Sequence, residues 1–281
     1  MVFLFRLLGR IPLRLLHPLG ACAAWLTYVL SPTYRRHLGE NIRQAGFDDR
    51  VRRKAIGEAG KQMLEILRIW SLPLDKAIAQ VVEVRSWEYV EEAQRAGKGI
   101  LFLTPHLGCF EITAQYYSAF GDIAVLYRPP KRAFIQKMIL DGRKRDKLHL
   151  APADVSGVRA LIKALKRGQA VGMLPDQAPK EGEGAWVKFF GRYAYTMTLA
   201  ARLSETGATT LMAWGERLPG GRGYCLHFGP PRAAFAGKTL ERAQQINDEI
   251  EVLIRACPAQ YLWGYNRYKR PRGAELPPGQ G

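Results

Sequence analysis

The chain has 281 residues, of which 47% are hydrophobic and 10% aromatic. That is enough apolar surface to bury a core as one large domain, or one domain with a helical appendage, and it excludes a disordered chain. Lys and Arg number 42 against 25 acidic residues, for a formal charge of +17, so a polyanion or anionic surface is the expected partner: nucleic acid, anionic lipid or an acidic protein. Cys22, Cys109, Cys225 and Cys257 are scattered without a CxxC pair, which argues for a reduced compartment and against a structural zinc site.

The first 31 residues are apolar, punctuated by Arg6, Arg10 and Arg14, which line one helical face while Phe3, Leu4, Leu7, Leu8, Ile11 and Leu15 cover the rest. The stretch from Leu15 to Ser31 is about the minimum length for a membrane span, and Pro18 interrupts it. No acidic residue precedes Glu40. A signal peptide would need a small-residue cleavage site that is not evident, and a core helix is a second alternative. The preferred reading is a membrane anchor over residues 1–31, either a short span or an interfacial helix, with its arginines at the anionic cytoplasmic leaflet. Residues 32–272 read as the main folded domain, and the Pro- and Gly-rich residues 273–281 as a flexible tail.

Helical periodicity runs from Asp48 to Trp70 and stops at Pro73. Val81 to Val84 reads as a strand, with Ser86 capping a helix to Ala96. The apolar run Ile100 to Leu103, bounded by Gly99 and Pro105, reads as a short buried strand. A helix over Phe110–Phe120, a strand over Ile123–Tyr127, a basic helix over Ala133–Lys147 and a strand over Leu148–Ala151 follow. Next come a helix over Val158–Lys166 and a strand over Ala170–Leu174. After a loop over Ala178–Trp186 the pattern predicts a helix over Tyr195–Glu205, strands over Thr209–Trp214 and Tyr224–Phe228, and a helix over Leu240–Ala256. This alternation predicts an α/β fold: a mixed, mostly parallel central sheet flanked by helices, with antiparallel pairing among the closely spaced last strands.

Three polar features fall at strand ends, where α/β sheets gather their ligands: His106 with Glu111, Arg128 before Pro129-Pro130, and Asp176 with Gln177. On one continuous helix His106 and Glu111 would stand about 140° apart, so they can meet only if His106 precedes the helix. Glu111 would then fix the tautomer and leave the other ring nitrogen as a base. Spacing alone leaves open a loop histidine beside an unrelated glutamate. Arg128, with its backbone fixed by two prolines, suits a phosphate, and Arg143 on the next helix could reach the same cleft. Asp176 could be a metal ligand, a hydroxyl acceptor or an orienting residue; no second carboxylate cluster supports a metal. Cys109 at a helix start invites a thiolate reading, but packing is the commoner role for such a residue. There is no Walker loop, GxGxxG after a strand or GxSxG elbow, which argues against nucleotide-driven chemistry and serine hydrolysis. A histidine–carboxylate pair without its own nucleophile suits direct transfer to a substrate hydroxyl.

The ordered set His106-Leu-Gly-Cys-Phe-Glu111, Tyr127-Arg128-Pro129, Gly142-Arg143, Pro175-Asp176-Gln177, Val187 to Gly191, Gln260 to Trp263 and Arg267-Tyr268-Lys269 resembles the late acyltransferases of lipid A biosynthesis, within the lysophospholipid acyltransferase superfamily. The resemblance runs from the N-terminal apolar segment to about residue 272. It implies a glycerolipid acyltransferase-like fold and an enzyme at the cytoplasmic face of the bacterial inner membrane. Such an enzyme would move a fatty acyl chain from acyl carrier protein to a hydroxyl of a phosphorylated glycolipid, without cofactor or metal. His106 would be the base and Glu111 its orienting partner; Arg128, Arg143, Asp176 and Gln177 would bind substrate. The loop Ala178-Pro179-Lys180 departs from a more glycine-rich pattern. One rival is an acyl-CoA-dependent enzyme acting on a glycerolipid, a mannosylated phosphoinositide or an ornithine lipid. Another is a non-enzymatic basic protein binding anionic lipid or nucleic acid; the chain lacks the aromatic–basic alternation that stacks bases, so nucleic acid is not expected as a partner.

Overall fold

The computed structural model describes residues 9–130 and 132–279; Phe3, Leu4, Arg6, Leu7, Leu8 and Lys131 lie outside the described residues. Its nine strands are β1 (Val81–Arg85), β2 (Ile100–Leu103), β3 (Ile123–Tyr127), β4 (Leu148–Pro152), β5 (Ala170–Met173), β6 (Gly184–Phe189), β7 (Arg192–Met197), β8 (Thr209–Arg217) and β9 (Tyr224–Gly229). Seven of them form one sheet in the order β1-β9-β8-β2-β5-β3-β4, and β6 and β7 form a separate pair. The block β8-β2-β5-β3-β4 is parallel throughout. The polarity reverses once, where β9 pairs antiparallel with β8, and β1 follows β9 in parallel. A mostly parallel sheet with antiparallel pairing among the last strands is what the spacing predicts.

The helices are α1 (Leu13–Leu30), α2 (Pro32–Gln44), α3 (Asp49–Ser71), α4 (Leu74–Ile78), α5 (Glu88–Ala96), α6 (Phe110–Tyr117), α7 (Ala133–Arg143), α8 (Val155–Lys166), α9 (Leu199–Ser204) and α10 (Thr239–Ala256). Strand β2 shows why its sequence is apolar at every position. Ile100 and Phe102 pack on one face with Val90 of α5 and Ile112 of α6, while Leu101 and Leu103 pack on the other with Leu161 of α8 and Ile250 of α10. A parallel strand covered on both faces needs no polar alternation. Each such side chain contributes roughly 1.5–3 kcal/mol of burial, so β2 is a rigid base for whatever follows it.

Several local expectations are corrected. Residues 184–197 are the β6–β7 hairpin rather than loop and helix, and α9 begins only at Leu199. The strands join through Phe190-Gly191, both at positive φ, the conformation a two-residue hairpin turn demands. Ser86 does not cap α5: it sits at φ 60, and the helix starts after Trp87 without a side-chain cap. Helix α8 starts earlier than its apolar period suggests because Asp154 accepts the Gly157 N–H. Helix α7 stops at Arg143 instead of Lys147, and α2 and α4 have no counterpart in the sequence reading.

Candidate active site

The site is built by the register of two neighbouring strands. Leu103 of β2 stands opposite Met173 of β5, and the Thr104 N–H donates to the Met173 carbonyl at 2.9 Å, extending the ladder one step. His106 and Asp176 each lie three residues beyond that pair, so parallel pairing brings them side by side. The His106 backbone N–H donates to Asp176 Oδ2 at 3.0 Å, and the ring Nδ1 lies 2.8 Å from Oδ1. Asp176 is 1% exposed. Burial pushes its carboxyl up, but the adjoining His106 ring, the two hydrogen bonds from that residue and the nearby Arg267 more than offset this and hold it below the usual carboxylate range. An ionised Asp176 requires the proton on Nδ1, which leaves Nε2 as the basic nitrogen; no described residue hydrogen-bonds it.

The loop carrying His106 is fixed from three sides. Leu262 donates to the His106 carbonyl at 3.0 Å, Gly108 donates to the Gln260 carbonyl at 3.0 Å, and Cys109 donates to the Gly215 carbonyl of β8 at 2.7 Å. Gln62 of α3 donates to the Gly108 carbonyl at 2.9 Å. Gly108 has φ +58, and a Cβ there would collide with the Gly215 carbonyl, so only glycine allows the loop to lie this close to β8. Behind Asp176, the buried Arg267 donates to the Tyr195 carbonyl at 2.9 Å and to Thr196 Oγ1 at 2.6 Å. The closing segment around Gln260 to Arg267 is therefore a structural part of the site.

The partner of His106 is a correction. Glu111 was expected to orient the imidazole, and Asp176 holds that place. Glu111, in the first turn of α6 and 6% exposed, accepts from Arg143 through both oxygens, with Nε–Oε2 at 3.0 Å. Trp70 Nε1 also donates to its Oε2 at 2.9 Å. The reason is geometric: the planar fork of a guanidinium matches a carboxylate with two bonds, where an imidazole offers one. Burial would lower the Arg143 pKa, but Glu111 raises it above the ordinary arginine value. Trp70, noted in sequence only as an apolar helical position, is thus a polar contact of the site.

The remaining candidates are placed as follows. Arg143 joins Glu111, whereas Arg128 is exposed and pairs with Glu183 at 3.1 Å; it touches none of His106, Glu111 or Asp176 among the described residues. Gln177 is half-buried, with no side-chain hydrogen bond among the described residues. Cys109 is buried, and burial with the Glu65 charge pushes its thiol well above the usual range, the opposite of an activated thiolate. An apolar cleft opens beside these groups, lined by Phe102, Phe110, Ala114, Val125, Met173 and Phe228, with Thr104, Glu111 and Arg143 as polar members. Among the described residues Glu216, Cys225 and His227 bring ligand atoms within 4.8 Å of one another; His227 already lies 2.9 Å from Glu216, and none of the three contacts His106.

Residues 1–270 match the family described as bacterial lipid A biosynthesis acyltransferase. Over 226 residues the chain is 30% identical to the lipid A biosynthesis lauroyltransferase of Escherichia coli (strain K12), covering 78% of this chain and 72% of that protein. The palmitoleoyltransferase of the same organism is 26% identical over 219 residues, 76% of this chain and 70% of that one. Its myristoyltransferase is 23% identical over 202 residues, 70% of this chain and 62% of that one. These likenesses define the protein as an acyltransferase. More narrowly, the chain belongs to the bacterial lipid A biosynthesis acyltransferase family, as the ordered motifs of its sequence lead one to expect.

Proposed function

We propose that the chain transfers a fatty acyl group from the thioester of acyl carrier protein to a hydroxyl of a phosphorylated lipid A precursor, a secondary acylation at the cytoplasmic face of the bacterial inner membrane. The observation that carries the chemistry is the His106–Asp176 contact at 2.8 Å beside an apolar cleft. Nε2 of His106 takes the proton of the acceptor hydroxyl as its oxygen attacks the thioester carbonyl, and ionised Asp176 stabilises the imidazolium that forms. The tetrahedral oxyanion collapses, the C–S bond breaks, and the imidazolium returns the proton to the leaving thiolate. Arg143, anchored by Glu111 through Nε and Nη2, keeps Nη1 and its charge for the oxyanion. Glu111 thus acts through Arg143.

The cleft suits an acyl chain, since burying methylenes favours binding at about 0.8 kcal/mol each. A charge of +17 favours an acidic carrier protein and a phosphorylated acceptor. Arg128 and Gln177, exposed and half-buried at the ends of β3 and β5, are assigned to the acceptor headgroup. The test is a membrane assay offering the same acyl chain on acyl carrier protein and on coenzyme A. A clear preference for the carrier thioester is expected; equal or better use of coenzyme A would reject the donor assignment. Mass spectrometry of lipid A from cells with and without the gene should show one acyl chain lost, and an unchanged lipid A profile would reject the acceptor.

A further inference from the structure

Helix α1 has an apolar stripe that no described residue covers. Leu15, Leu19, Cys22, Leu26 and Val29 follow one another at intervals of four and three residues, so they share one helical face, and all are exposed. Leu30, at 70% exposure, and Trp25 widen it. The opposite face, Leu13, Leu16, His17, Gly20 and Ala24, is buried.

What covers that buried face decides how α1 meets a membrane. It lies antiparallel along α3: Arg68 donates to the Ile11 carbonyl at 2.7 Å, His17 Nε2 lies 3.3 Å from Glu65, and Gly20 meets Gly60. At that crossing a Cβ on Gly20 would stand 2.5 Å from the Gly60 carbonyl oxygen, so the two backbones touch. Helix α3 carries Glu58, Lys61, Glu65 and Arg68 over the same length. An α1 that crossed a bilayer would take these charges into the hydrocarbon or tear the two helices apart, and both are costly. Its 18 residues also reach only about 27 Å at 1.5 Å per residue, short of a core of about 30 Å.

Charge at the two ends points the same way. Arg10 and Arg14 are exposed at the start of α1, Arg35 and Arg36 just beyond its end, and no acidic residue precedes Glu40. A spanning helix would leave one of these basic pairs on the far side of the membrane, against the retention of Lys and Arg on the cytoplasmic side. A helix lying flat sets both pairs at the headgroups of one leaflet.

We propose that α1 is an in-plane helix: its stripe sinks into one leaflet of an anionic bilayer, and the arginines at both ends bind lipid phosphates. The proposal rests on the inner-membrane placement given above and refines it; it does not depend on the acyl-transfer chemistry. The partner is a lipid surface rather than a second copy of the chain, because a stripe with four arginines at its ends repels its own image and attracts anionic headgroups.

The test uses full-length protein with Cys22 and Cys257 replaced by serine, and either Arg14→Cys or Thr33→Cys, in spheroplasts and in inverted membrane vesicles. A membrane-impermeant maleimide should label both positions in inverted vesicles and neither in spheroplasts; labelling of the two from opposite sides would overturn the proposal. In parallel, purified wild type and Leu19→Lys/Leu26→Lys are sedimented with phosphatidylglycerol–phosphatidylethanolamine vesicles. Both leucines are exposed, so folding should persist, and the double variant should bind at least tenfold more weakly. Unchanged binding, or a wild type that dimerises and ignores vesicles, would also overturn it. Acyl transfer in detergent is read on the same samples: its absence alongside one-sided labelling would count against the acyltransferase mechanism and leave the helix placement standing.

Discussion

His106 Nδ1 lies 2.8 Å from Asp176 Oδ1, and the His106 backbone N–H binds the other oxygen of the same carboxylate. One buried side chain thus sets both the backbone position and the tautomer of the histidine. Asp176→Asn keeps the shape but removes the charge that stabilises an imidazolium. It should lower kcat by about 10²–10⁴-fold, the range of a positioned acid–base group, with little change in KM for the acyl donor. A full-rate Asp176→Asn enzyme would show that His106 does not work through this pair. The carboxyl is held below its ordinary value, so its stabilising contribution is present above the ordinary carboxylate range and is lost as pH falls through the depressed value. The Tm difference between wild type and Asp176→Asn should be flat above about pH 5 and shrink below about pH 4; a difference that grows on acidification would contradict the sign of the shift.

The Glu111–Arg143 pair separates structure from chemistry. Their side chains are 6% and 20% exposed, so Glu111→Gln leaves Arg143 largely buried without its counter-charge. The expected cost is about 3–5 kcal/mol, read by urea unfolding. In Glu111→Gln/Arg143→Met, with both charges removed, much of the stability should return while transfer stays absent. Recovery of activity together with stability would demote the pair to a structural brace.

Much of the frame was legible because local pattern determined it. The apolar run Ile100 to Leu103, the strand–helix alternation and the polar residues at strand ends are local signals, and they place His106, Arg128 and Asp176 on one sheet edge. Pairing was not legible, because it is set by register. Asp176 reaches His106 through the Leu103–Met173 alignment, which no spacing within either segment reveals. An equal offset of three residues from two strand ends is the only trace it leaves. The β6–β7 hairpin turns at Phe190-Gly191, where Phe190 stands at positive φ without the Asn-Gly or Asp-Gly pair that marks such turns, and the helical period from Tyr195 to Glu205 masks its second strand. The roles of Trp70 and Arg267 lie in contacts with residues 41 and more positions away, beyond the reach of any local pattern.

Arg128 offers a contrasting case. Its contact with Glu183 at 3.1 Å joins side chains 50% and 44% exposed, and such a pair contributes between about 0 and 1 kcal/mol. Arg128→Ala should therefore melt within experimental error of wild type. With the phosphorylated acceptor KM should rise roughly tenfold, about 1.4 kcal/mol of lost binding, while a dephosphorylated acceptor should be used as before. An equal loss on both acceptors would remove the phosphate assignment from Arg128.

Beneath the His106 loop, Arg217 at the end of β8 is 3% exposed and binds the fully buried Glu65 through Nε at 2.7 Å and through Nη2. Tyr224 O–H donates to the same glutamate at 3.3 Å. Burial raises the Glu65 carboxyl, but Arg217 and His17 more than offset it, leaving it below the ordinary value. The cluster ties α1, α3 and β8 together on the strand whose Gly215 carbonyl holds Cys109. Glu65→Gln leaves a buried guanidinium half-compensated and should cost about 3–5 kcal/mol, whereas Glu65→Met/Arg217→Met should come back to within about 1–2 kcal/mol of wild type. If the His106 loop depends on β8 only for its backbone position, the double variant should keep most of its transfer rate. A stable double variant with no activity would instead give the buried charges an electrostatic part in the reaction, felt at His106 through the low-dielectric core.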